Sequence, residues 1–179
     1  MSGEFMTHDR RFGMGSALGV LVATLLGACA SPGGAGVELG TGTTAFTPLG
    51  DGDEVYIVQG PQGGYHLDGS VRATGIVHGD PEDLSSPDNP TTVFRVLRAG
   101  EAVSGTANQP DVSYTQGLDE SAEPTFCEMV GRRVYLNIGD DDDLVGSTLT
   151  VEVTLSDVDG RVLMDSREVF AVAHPDNQR

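Results

Sequence analysis

Apolar side chains recur at every second position through most of this chain, and that period admits only one kind of regular element. Tyr65, Leu67, Gly69, Val71 and Ala73 alternate with His66, Asp68, Ser70, Arg72 and Thr74. The first set points to one face of an extended strand and the second to the other, because successive side chains of a strand leave on opposite sides. Val134, Leu136 and Ile138 alternate with Arg133, Tyr135 and Asn137 in the same way, and Leu149, Val151, Val153 and Leu155 alternate with threonines and Glu152. One apolar face and one polar face mark antiparallel strands that are covered on one side only. Further strands are expected at 54–59, 91–98, 112–116, 125–130 and 161–172. No segment carries the 3.6-residue period of a helix.

The punctuation agrees. Asp159-Gly160 joins two of these runs, and an Asp-Gly pair accepts the positive φ that a tight hairpin turn demands. Ala99-Gly100 is a weaker example, and the loops at 78–90 and 119–124 are rich in Pro, Asp and Ser. Short strands with frequent turns predict an all-β domain, an immunoglobulin-like antiparallel β-sandwich of about seven to nine strands. The chain has no tryptophan, so the core signature of antibody domains is missing. The expected boundaries are a leader over 1–28, a flexible tether over 29–47 with no apolar period, the sandwich over 48–174 and a polar tail over 175–179.

The leader carries Arg10 and Arg11, then an uncharged segment from Gly13 to Leu26, then small residues before Cys29. These are the parts of a secretory signal, and the apolar run falls short of the roughly 20 residues that cross a bilayer. The closing Leu26-Gly27-Ala28-Cys29 resembles the bacterial lipobox. By that resemblance Leu26, Gly27 and Ala28 are the signal-peptidase recognition residues, and Cys29 is the lipidation site that anchors the chain to a membrane. Ala30 after the cysteine, by resemblance to the enterobacterial sorting pattern, favours the outer membrane. A plain secreted protein is the alternative. Arg10-Arg11 leaves both the twin-arginine and the general exporter open, and Met6 competes with Met1 as the start.

Composition excludes more than it assigns. A formal charge of −17 argues against nucleic acid as a partner, and the absence of lysine rules out a P-loop cradle, a Schiff base and a lysine nucleophile. With lipid on Cys29, Cys127 is alone and reads as a small buried hydrophobe in an apolar strand. No catalytic motif is present and no cofactor is implied, so the chain is not expected to be an enzyme. No metal site is expected either. Asp141, Asp143, Gly146, Ser147 and Glu152 match part of a calcium-loop spacing, but Val145 occupies a ligand position and no helices flank the run. Residues 140–143 read as a solvated acidic turn, and His66, His78 and His174, without metal-ligand spacing, as surface residues.

The most distinctive string is Gly60-Pro61-Gln62-Gly63-Gly64-Tyr65-His66. It resembles a Gly-Pro-Gln-Gly-Gly-x-His segment of lipoproteins from GC-rich Gram-negative bacteria, and that resemblance implies no activity. Physically it is a sharp turn between two strands. Read for function, Gln62, Tyr65 and His66 are candidate ligand-binding residues that offer hydrogen bonds and a ring face. The expected function is that of a lipid-anchored cell-envelope protein, a non-catalytic binding, adhesion or assembly module with an envelope or surface partner. The alternative is a small-ligand or metal-binding periplasmic lipoprotein, which a pocket lined by His66 would favour.

Overall fold

A computed structural model describes residues 34–177. Among these the chain is all-β: strands β1 (Gly36–Thr41), β2 (Thr47–Pro48), β3 (Glu54–Gln59), β4 (Tyr65–Thr74), β5 (Thr91–Arg98), β6 (Glu101–Ala102), β7 (Val112–Thr115), β8 (Asp119–Glu120), β9 (Cys127–Leu136), β10 (Thr148–Ser156) and β11 (Val162–Ala173). A 3-10 turn, Asp141–Asp143, stands between β9 and β10. All eleven strands belong to one hydrogen-bonded mixed sheet.

β4 is the axis of one half of this sheet. It pairs antiparallel with β9 along one edge, and on its other edge with β1 and, nearer its start, with the end of β3. The second half runs β11, β10, β5, with β6 and β7 sharing the free edge of β5. β3 joins the halves, because Glu54 to Ile57 pair with Phe170 to Ala173 of β11 before Val58 and Gln59 turn to meet β4. That pairing of β3 with β11 is parallel, so the wholly antiparallel sheet expected from the sequence is corrected at this one seam.

The sheet closes on an apolar interior. Phe94 of β5 is wholly buried, and a Cβ placed on Gly69 of β4 would lie 3.0 Å from its ring and 2.7 Å from a methyl of Val134 on β9. Gly69 is therefore small because two elements converge on it. The period-two sets at Leu67, Val71, Leu136, Val151, Val153 and Leu155 are all buried. Each such side chain contributes about 1.5–3 kcal/mol by leaving water. The two runs expected at 125–130 and 133–138 are one strand, β9, whose register against β4 shifts between Gly69 and Val71. Gly131 sits at that irregularity with φ of 67° and donates its N–H to Ser70 Oγ (3.0 Å), and the Ser70 hydroxyl donates to Gly42 O (3.2 Å).

Residues 36–41 are not tether. They form β1 on β4, Leu39 is fully buried, and its N–H donates to Asp165 Oδ2 of β11 at 2.8 Å. The alternation of Val37 and Leu39 was hidden among glycines, where each side chain alone carries the burial. Arg72 ties the same region down: its guanidinium lies 4.9 Å from the Phe46 ring and 4.6 Å from the Phe126 ring, and bonds Glu38 at 2.7 Å. The polar tail is also held, because Asn177 accepts from Gln59 N (2.9 Å) and donates to Ile57 O (2.9 Å) and Asp141 Oδ2 (2.7 Å).

Candidate functional site

The turn after β3 is built by glycine. Gly60 N donates to Gly64 O at 2.9 Å and Gly63 N to Gly60 O at 3.0 Å, closing a compact loop. Gly63 and Gly64 have φ of 78° and 76°, a region that side-chain-bearing residues resist. A Cβ on either would meet nothing within 4 Å, so backbone conformation and not crowding selects glycine there. The loop stands over the start of β4, and between it and β9 lies a cleft of about 270 Å3 lined by residues 60–64, Tyr65, His66, Arg133, Tyr135 and Leu136.

Strand register decides which side chains meet in it. His66 lies directly opposite Tyr135 and Asp68 opposite Arg133, so these four share the face of the sheet turned away from the core. The candidate residues Gln62, Tyr65 and His66 all line the cleft. Their roles differ from those expected. Tyr65 is 8% exposed and packs into the core while its hydroxyl accepts from Gln59 Nε2 at 3.4 Å, so the open ring face comes from Tyr135, which is 53% exposed. Arg133 and Tyr135 are the additions that local sequence did not flag, and the signal was present as an aromatic residue on the polar side of an alternating strand.

His66 is the most informative group here. Its place on the polar face predicted exposure, yet it is only 7% exposed, because the glycine loop and β9 cover it. Its Nε2 is 3.8 Å from Asp68 Oδ1, beyond hydrogen-bond reach, and the ring makes no hydrogen bond among the described residues. Burial lowers its pKa below the ordinary 6.5; Asp68 opposes that shift and Arg133 adds to it. At neutral pH the cleft therefore presents a neutral imidazole. Arg133 is exposed and, although Asp68 stands opposite it, makes no ion pair among the described residues; only its carbonyl is used, accepting from the Tyr114 hydroxyl at 2.7 Å.

No family model matches the chain, and a comparison with curated proteins finds no match. Two solved structures are distantly similar. CopC from Methylosinus trichosporium OB3b is 15% identical with a TM-score of 0.28, over 72% of this chain and 90% of that one. The CooA pilin subunit from enterotoxigenic Escherichia coli is 11% identical with a TM-score of 0.31, over 78% and 99%. Both are likenesses between β-rich domains.

The other sites named from sequence divide differently. Leu26, Gly27, Ala28 and Cys29 lie outside the described residues, as does the whole leader over 1–28. Cys127 is wholly buried on β9, but it is disulfide-bonded and not the lone thiol expected. The acidic run is not simply solvated: Asp141 is 8% exposed, Asp140 Oδ1 accepts from Asp142 N, and Asp143 Oδ2 accepts from the N–H groups of Gly139 and Asp140. Asp140, Asp141 and Asp142 bring carboxylate oxygens within 4.8 Å of one another, and local donors occupy part of that set. His78 is half-buried, with Nδ1 enclosed and unpaired, and His174 lies edge-on to Tyr56 with ring centroids 5.5 Å apart.

Proposed function

We propose that this chain is a cell-envelope β-domain that acts by non-catalytic binding, with the cleft at His66 as its recognition site for a small polar ligand. One observation carries the reading: a ring nine-tenths buried, without a hydrogen bond, lines an open cleft. Unlike His78 Nδ1, its nitrogens are not enclosed and open to the cleft, where a ligand can meet them. The cleft favours a small ligand over a flat adhesion or assembly surface. The immunoglobulin-like sandwich belongs to the same proposal, with the sheet as a rigid support for one recognition loop.

Catalysis is not part of it. In this reading Gln62, His66, Arg133 and Tyr135 orient a ligand by hydrogen bonds and ring contact. A metal ion is disfavoured because Arg133 brings positive charge beside the sole imidazole. Thermal unfolding of the purified full chain against a panel of small sugars, amino acids and organic acids tests the reading. Ligands that raise Tm in the original chain should lose that effect in Tyr135→Ala. Stabilisation that survives the substitution, or none from any compound, would overturn it.

Envelope location rests on the leader, with lipid on Cys29 as the anchor and the outer membrane as the favoured destination, and this requires that the lipidated protein lack the Cys127 disulfide that the structure records. The chain has two cysteines, and a sulfur that carries lipid cannot also join a disulfide. Lipid on Cys29 therefore excludes an intrachain bond from Cys29 to Cys127. Intact mass of the membrane-derived protein, read with and without reductant, separates the two fates. An acylated Cys29 supports the anchor, and an unmodified or disulfide-bonded Cys29 contradicts it.

A further inference from the structure

The donors of this cleft are of one kind. Arg133 contributes a guanidinium fork that no carboxylate engages among the described residues, in a chain with 27 acidic and only 10 basic side chains. Four other arginines are taken up by carboxylates, Arg72 by Glu38, Arg95 by Asp111, Arg161 by Asp157 and Arg167 by Asp165. Arg98 donates to the Asp143 carbonyl, and Arg132, like Arg133, has no ion pair among the described residues but does not line the cleft. Arg133 stands opposite Asp68 and still does not pair with it. A planar fork of N–H groups matches a carboxylate two bonds at a time. Around it the cleft places the half-exposed face of Tyr135, the amide of Gln62 and the His66 ring. An amphipathic ring with neutral donors and acceptors beside it suits a hydroxylated ring, whose C–H face lies on the aromatic and whose hydroxyls meet the amide and imidazole. At about 270 Å3 the space is below the range of larger ligand pockets and holds one ring unit.

Resting on the reading that this cleft binds a small ligand, we infer that the ligand is a carboxylate-bearing sugar ring, held by Arg133 through its carboxylate and by Tyr135 through its ring face. A neighbouring depression of about 300 Å3 sharpens the assignment. Glu54, Tyr56, Asp68 and His174 help to line it; Asp68 also stands 3.8 Å from His66 Nε2 of the first cleft, so it is Glu54, with no arginine in the lining, that repels an anion here. A carboxylated ring thus separates the two clefts.

The test is calorimetric titration of the purified full chain with glucuronate, glucose and acetate, each against the original protein, Arg133→Gln and Tyr135→Ala. Glucuronate should bind at least about tenfold more tightly than either glucose or acetate, as one charge-assisted pair of hydrogen bonds implies. Arg133→Gln should reduce glucuronate to the level of glucose, and Tyr135→Ala should reduce it to the level of acetate. Glucose binding as tightly as glucuronate, with loss only in Tyr135→Ala, would overturn the carboxylate while leaving the cleft as the binding site. Acetate binding as tightly as glucuronate would overturn the ring. Glucuronate binding unchanged in both variants would place it outside the cleft and overturn the inference, as would no binding at all. Circular dichroism of both variants, expected to match the original because each side chain is largely exposed, keeps a loss of binding distinct from a loss of fold.

Discussion

Two loops drew attention for opposite reasons, the glycine turn at 60–64 and the acidic run at 140–143, and they use their polar groups in opposite ways. The acidic run concentrates charge and consumes it. Asp140 and Asp143 close a reciprocal cap on the 3-10 turn, and Asp141 is buried against the Asn177 amide. The glycine turn carries no charge and leaves the neighbouring groups open: His66 without a hydrogen bond, Arg133 without an ion pair, Tyr135 with half its surface in water. Charge density thus marks a structural turn here, and uncommitted polarity marks the candidate site. The two regions are linked indirectly, since Asn177 bonds Asp141 on one side and Ile57 and Gln59 at the end of β3 on the other. The acidic turn is a buttress for the strand that launches the glycine turn.

The largest expected effect is at Asp141. Truncation to Ala removes a buried acceptor and should lower unfolding free energy by about 1–3 kcal/mol, whereas exposed Asp142→Ala should change it by less than about 0.5 kcal/mol. Urea denaturation measures both, and equal losses would erase the distinction between committed and solvated carboxylates. Next comes Gly64→Ala, which forces a side chain into φ of 76° in open space and should destabilise by about 1–2 kcal/mol. No loss would mean that the loop relaxes to another conformation.

A smaller effect is the response to acid. Above the ordinary 6.5 the His66 ring is neutral in both the folded and unfolded chain and contributes no slope. As pH falls through that value the unfolded chain takes up a proton that the folded chain resists, so stability declines until the lower folded pKa is passed. His66→Gln should flatten this part of the profile, and an unchanged slope would show that the ring is not the group responsible. The smallest effect concerns calcium. Because local donors already engage Asp140, Asp141 and Asp143, calcium should bind no more tightly than about 10⁻⁴ to 10⁻³ M. Micromolar binding abolished by Asp141→Asn with Asp143→Asn would move the site to the acidic loop.

What the sequence disclosed follows the reach of each interaction. β3, β4, β5 and β10 were legible because their alternation is local, and the Asp159-Gly160 hairpin because its turn chemistry is local; Gly160 has φ of 80° between Ser156 and Val162, which are paired. The parallel seam of β3 on β11 was not, since it depends on which strand arrives beside Phe170. The burial of His66 was missed for a similar reason. Alternation assigned its face correctly, but the cover over that face comes from the loop before it and from β9. Asp141 shows the converse, since four adjacent aspartates read as solvent-facing until Asn177, distant in the chain, supplies a donor.

Chemical-shift mapping of the isotopically labelled full chain with glucuronate tests the central contrast most directly, because both loops report in one spectrum. The account predicts that Gly63, Gly64, His66 and Tyr135 shift in a saturable way while residues 140–143 do not. Shifts confined to 140–143, with the glycine turn and His66 unmoved, would contradict it.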